Sequence, residues 1–137
     1  MKSTTSKNHA YFLLRLAMGI NLLAHGLVRI PKIKTFSNWM VNLYKETILP
    51  EIFISPFAKI LPFVELTIGV FLVFGLYTYR TCLASGILMT ILIFGSCLAE
   101  QWEWVGFQMI YVLFFYLLIS TSQNNHFSID NLLQNKS

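Results

Sequence analysis

Four residues of this chain stand out for the chemistry they could do: Arg15, His25, Arg29 and Glu65 fall within or at the edge of long apolar runs. A charge near the centre of a membrane helix costs at least ~2.5–3.5 kcal/mol to insert, so it comes with a partner or a purpose. Asn21, His25 and Arg29 recur every fourth residue. On a helix each such step turns the chain by roughly 40°, and Arg15 falls roughly 40° beyond Arg29, so all four share one arc of about 120°. Gly19 and Gly26 lie near this stripe and allow a second helix to come close. At about 1.5 Å per residue, Glu65 is ~12 Å deep in its run, His25 ~7–8 Å and Asn21 ~13 Å, which permits a Glu65 contact to His25 or Asn21. Arg15, at ~22 Å from that side, is out of easy reach. Gln108 and Tyr111 enter from the same side at depths of ~5 and ~9 Å. Glu100 approaches at the end of the preceding run. His25, Arg29, Glu65, Glu100, Gln108 and Tyr111 are therefore the candidate pocket or proton relay, and Arg15 and Asn21 a structural polar stripe. The competing reading is that these groups only hold helices together, at ~0.6 kcal/mol per interhelical hydrogen bond.

Other chemistry has less to build on. There is no Gly-rich phosphate loop, no nucleophile elbow and no HExxH. Of His9, His25 and His126, only His25 falls inside an apolar run, so haem ligation lacks a second histidine. A metal held by His25 and Glu65 lacks a third ligand, and none is expected. Cys82 and Cys97 are 15 residues apart. On one straight helix that is roughly 22 Å, too far for a disulfide. They are expected to be small buried hydrophobes. The chain is not a self-contained enzyme by motif.

The elements that must position these residues follow from composition. Of 137 residues, 55% are hydrophobic, 15% aromatic and 12% charged, with twelve Phe. A soluble domain carries about 25% charged residues. The mean hydropathy is +0.61. These values exclude a water-soluble monomer, whose surface polar groups must cover, and they exclude disorder. The length fits one domain, residues 1–137. The formal net charge of +4 is no nucleic-acid footprint. Lys2, Lys7, Arg29, Lys32, Lys34, Lys45, Lys59, Arg80 and Lys136 are spread along the chain and mostly flank apolar runs, as at the ends of membrane spans.

Four runs, at about 10–30, 57–76, 81–99 and 105–121, each approach the ~20 residues that cross a bilayer. They predict an all-α, four-helix transmembrane bundle with both termini on one side of the lipid bilayer. The brief connection at 77–80 makes the second and third spans antiparallel neighbours. The charged start resembles that of a signal peptide. However, Arg15 and Asn21 interrupt the run and no small-x-small cleavage site follows, so the first span is expected to be retained. In the long connection 31–56, Phe36, Trp39, Met40 and Leu43 follow i, i+3, i+4, i+7. That pattern predicts a short amphipathic helix lying in the headgroup plane between the first two spans. Pro50 and Pro56 punctuate the chain before the second span, and Pro62 bends it near its start. Trp102 and Trp104 suit a membrane interface. Lys and Arg nearly balance across the two sides, with a lean to cytoplasmic termini.

The ordered motifs resemble the DoxX-like family of membrane proteins. His25-Gly26-Leu27-Val28-Arg29 is similar to that family's "HG…K" signature. Pro56-Phe57-Ala58, then Pro62, Glu65, Gly69, Leu72, Gly75, Leu76 and Arg80, resemble its "pfa…E…G…L…GL.tR" pattern. Phe127-Ser128-Ile129-Asp130 resembles its terminal hydrophobic-Ser-Leu-Asp, although Gln123-Asn124-Asn125 stands where a Gly-x-Gly turn is common. The resemblance spans nearly the whole chain. It implies a four-helix protein of the bacterial cytoplasmic (inner) membrane and a quinone- or redox-linked subunit that works with redox partner proteins. Glu65 and His25 would then manage a proton or hydrogen-bond a quinone carbonyl, with Arg29 supplying positive potential. The alternatives are a non-catalytic scaffold that binds partner proteins and, third, a small oligomeric transporter. A homo-oligomer is compatible with each.

Overall fold

The computed structural model describes residues 2–134. The side chain of Lys2, and Lys136 with its flanking charge, lie outside the described groups. Among the described residues six α-helices follow in order: α1 (Lys2–Arg29), α2 (Ile33–Tyr44), α3 (Glu51–Phe74), α4 (Thr78–Leu98), α5 (Trp102–Ser120) and α6 (Ile129–Gln134). No strand occurs among the described residues. The helices carrying α1, α3, α4 and α5 are long and apolar enough to cross a membrane, and the chain is a multi-pass membrane protein. Apolar side chains such as Leu13, Ile20, Phe94, Phe107 and Leu113 stay exposed on the bundle, a surface suited to hydrocarbon.

α1 starts at Lys2, well ahead of the apolar run, and two further boundaries differ from the sequence expectation. α3 starts at Glu51, directly after Pro50, so Pro56 lies inside the helix instead of punctuating the chain ahead of it. Its missing N–H leaves the Ile52 carbonyl, in the first turn, without its helical donor, a loss tolerated so close to a helix start. α1 passes through a turn of 3-10 helix at Ile30–Lys32 straight into α2. The predicted amphipathic helix is thus present, but its stripe turns toward the protein. Met40 and Tyr44 are buried together with Ile54 and Ala58 of α3.

α1 packs most extensively on α3, and α4 on α5. α3 and α4 are joined only by Gly75–Tyr77, yet they touch far less than either of those pairs. Glycines explain the preference. A Cβ on Gly19 would meet the backbone of Val73, one on Gly26 the carbonyl of Pro62, and one on Gly69 the backbone of Leu23. α1 residues rise in number as their α3 partners fall, so the pair is antiparallel, and the missing side chains let the two backbones nearly touch.

One end of the bundle is closed by a clasp. α3 ends where Gly75 adopts a left-handed conformation at φ 68°. Leu76 N–H donates to the Phe71 carbonyl at 2.9 Å and Gly75 N–H to the Leu72 carbonyl at 3.3 Å, the pairing of a Schellman motif. Arg15, only 1% exposed, donates from Nη1 to the carbonyls of Leu72 and Val73 and from Nη2 to that of Phe127. A cation at the C-terminal end of a helix also meets the negative pole of its dipole. Asp130 accepts from Tyr77 N–H and Thr78 N–H at 2.7 Å each, while its own N–H donates to the Gly75 carbonyl at 3.1 Å. Ser128 Oγ accepts from Asn131 N–H at 3.2 Å and so caps α6. The Ser-x-Asp sequence is therefore a fastening that holds the end of α3, the start of α4 and Arg15 of α1 together. Arg15, placed in one stripe with Asn21 by the sequence, fastens this end, whereas Asn21 lies toward the other. Cys82 is buried, Cys97 is half-buried, and both are free thiols.

Candidate functional site

The opposite end holds a cavity of about 140 Å³. α1 contributes Asn21, His25 and Arg29, α3 contributes Glu65, and α5 contributes Gln108 and Tyr111. Five of the six residues predicted to form a pocket, together with Asn21, thus line one space.

Glu65 is 3% exposed, and both of its oxygens accept from Arg29 Nη1 at 2.7 Å. Depth counting favoured His25 or Asn21 as its partner. That count follows backbone positions, whereas an arginine side chain reaches back by about a helical turn. Arg29 is 28% exposed, and its Cζ lies 4.8 Å from the centre of the Phe36 ring, a cation–π contact. His25 turns inward on its own helix, with Nδ1 donating to the Asn21 carbonyl at 2.8 Å. A carbonyl only accepts, so this bond places the proton on Nδ1 and frees Nε2 as an acceptor in the neutral ring.

Gln108 donates from Nε2 to Ser96 Oγ at 3.0 Å, and its Oε1 is buried with no hydrogen-bond partner. Turning the amide over would only change which of its two atoms is left over. A buried polar atom without a partner costs roughly 1–3 kcal/mol, which a bound donor would offset.

Glu100 does not join the group. It is exposed, at φ 54°, just beyond the end of α4. Its N–H donates to the Cys97 carbonyl at 3.1 Å and Gln101 N–H to the Ser96 carbonyl at 2.9 Å. That is a second Schellman closure, with glutamate in the position that favours glycine, and its side chain takes no part in the cavity lining.

Sequence reasoning missed the roof. Phe36, Trp39, Met40 and Tyr44 of α2 line the cavity, with Ser96 of α4 and Trp104 of α5. The Trp39 and Trp104 rings meet at 5.8 Å between centroids. The signal was the stripe at Phe36, Trp39, Met40 and Leu43, which marks a face but not what that face covers. Among the described residues, no three His, Cys, Asp or Glu side chains stand together as a metal site.

The chain matches the family described as methylamine utilisation protein MauE over residues 7–102, and it belongs to that family. The match takes in α1 to α4, with the ion pair and most of the roof. It overturns the DoxX resemblance. The motifs behind that resemblance are short, and the fold accounts for several of them as close helix approach at Gly26 and Gly69 and as a fastening at Ser128 and Asp130. No curated protein and no solved structure matches the chain significantly.

Proposed function

We propose that this MauE-family protein is a membrane accessory that binds a small hydrogen-bonding ligand beneath α2 and acts together with a partner protein. The observation that carries the reading is the partly buried Arg29–Glu65 pair set beside a Gln108 amide with an unpaired oxygen. The charges are already balanced, so the cavity is suited to holding a neutral polar group rather than capturing an ion. The family's description supports a service to methylamine utilisation, and the partner would come from that process. A quinone carbonyl is one group that could accept from the Arg29 nitrogens left free by Glu65. Cytoplasmic termini would place the cavity toward the outer face of the membrane, and cysteine labelling at the exposed Lys45 and Arg80 positions tests that orientation.

The deciding experiment follows the thermal stability of the purified full chain while a chainless benzoquinone and small amides are added. Stabilisation that disappears in Gln108→Leu supports the reading. If no probe has any effect, and Glu65→Gln keeps its partners after mild extraction, the polar groups are interhelical glue and the protein is a scaffold.

A further inference from the structure

An apolar groove of about 210 Å³ lies on the flank of the bundle between α2, α3 and α4. Phe53, Phe57, Ile91 and Phe94 line it, and Phe53, Ile91 and Phe94 are exposed on the membrane-facing surface. Met40, Tyr44 and Leu92 line both this groove and the polar cavity, so the two spaces share one wall. Tyr44 is the polar member of that wall. Its ring lies across α4 at Gly95, where a Cβ would come within 2.7 Å of the Tyr44 hydroxyl. A side chain at position 95 would thus push against the Tyr44 hydroxyl.

We propose that the cavity is loaded sideways from the bilayer by a single-chain amphiphile with a compact, neutral, carbonyl-bearing head. This rests on the binding function assigned above and names the class of ligand. The head lies among Arg29, Gln108 and Tyr111, the chain lies in the groove, and Tyr44 stands where they join. Charge selects the head. Arg29 and Glu65 are the charged residues of the cavity lining, and they neutralise each other. An anionic head would be repelled by Glu65, with no second cation to hold it while His25 is neutral, and a cationic head would lack a second carboxylate. Arg29 keeps nitrogens beyond Nη1 to donate to a carbonyl, and Gln108 Oε1 can accept from a hydroxyl or amide. Size selects the rest. The cavity suits a ring or a small ester, not a phosphodiester headgroup, and the groove suits one chain. Hydrocarbon already bathes the groove mouth, so a chain arriving there need not cross water.

Two sources share this chemistry, quinones and monoacylglycerols, and the test separates them. The full chain in nanodiscs is titrated with 2,3-dimethoxy-5-methylbenzoquinone, with its decyl derivative, with 1-decanoylglycerol and with decanoate, following Trp fluorescence and thermal stability. The expected result is that decylubiquinone or decanoylglycerol, whichever is the natural class, binds at least about tenfold tighter than either the chainless quinone or decanoate. Ile91→Trp, at an exposed rim position, should abolish that advantage and leave chainless binding unchanged. The proposal is overturned if a chain adds nothing in the wild type, if decanoate binds best, or if Ile91→Trp weakens chainless and chain-bearing probes equally. If the chainless probe binds and the chain adds nothing, the binding function survives without sideways loading. If no probe binds the wild type, both fail.

Discussion

Arg29 holds both oxygens of Glu65 through a single nitrogen, Nη1, at 2.7 Å each, and lays the guanidinium against Phe36. The two residues are not equivalent in this pair, because Glu65 is 3% exposed and Arg29 28%. Arg29→Ala strands a buried carboxylate and should cost about 3 kcal/mol, whereas Glu65→Gln leaves a half-exposed cation and should cost about 1 kcal/mol. The double variant should be more stable than Arg29→Ala alone. Thermal unfolding of all four proteins in one detergent gives the cycle, and additive losses would show that the pair carries no coupling.

The clasp makes a separate prediction. Arg15→Met removes the donor shared by Leu72, Val73 and Phe127, and should destabilise the protein by about 2–4 kcal/mol. Asp130→Asn keeps the size but loses charge at the first turn of α4, and should cost about 1 kcal/mol. Proteolysis near residues 121–128 should speed up in both variants, while binding at the far cavity stays close to wild type.

Glycines give a control within the same molecule. Gly69→Ala puts a methyl against the backbone of Leu23, and should destabilise by about 1–3 kcal/mol because α1 and α3 must move apart. Gly86 has no atom near its missing Cβ, so Gly86→Ala should be neutral or stabilise α4 by up to about 1 kcal/mol. Equal effects in unfolding measurements would contradict the close approach of α1 and α3.

Glu100→Gly should stabilise the protein by about 1 kcal/mol, since glycine takes φ 54° without the steric cost of a side chain. Ligand affinity should not change. A loss of affinity in titration would return Glu100 to the site.

Helical periodicity made the cavity's main groups legible, because burial and 3.6-residue spacing leave few ways to place His25, Arg29, Glu65, Gln108 and Tyr111. It also marked Gly19 and Gly26 as points of close approach. The partner of Glu65 was not legible, since depth along a helix says nothing about side-chain reach. Nor were Tyr44, Ser96 and Trp104, which are ordinary residues until a third element brings them together. The apolar stripe of α2 could equally have faced lipid, and only tertiary packing turns it into a roof. Pro56 misled because its usual meaning, a helix break, is relaxed near a helix start, where only a first-turn carbonyl loses its donor. Short motifs at Ser128 and Asp130 signalled kinship when their work is local capping, and the family match over residues 7–102 corrected that.

The helices are paired two by two, α1 with α3 and α4 with α5, and residues 127–130 bind the first pair to the start of α4 at one end only. The molecule is therefore built like a clothes peg. At the far mouth the pairs meet through side chains, the Trp39–Trp104 rings and Tyr44 against Gly95, so rotation about the Arg15–Asp130 end would part those contacts and change the size of the ligand space while leaving both pairs intact.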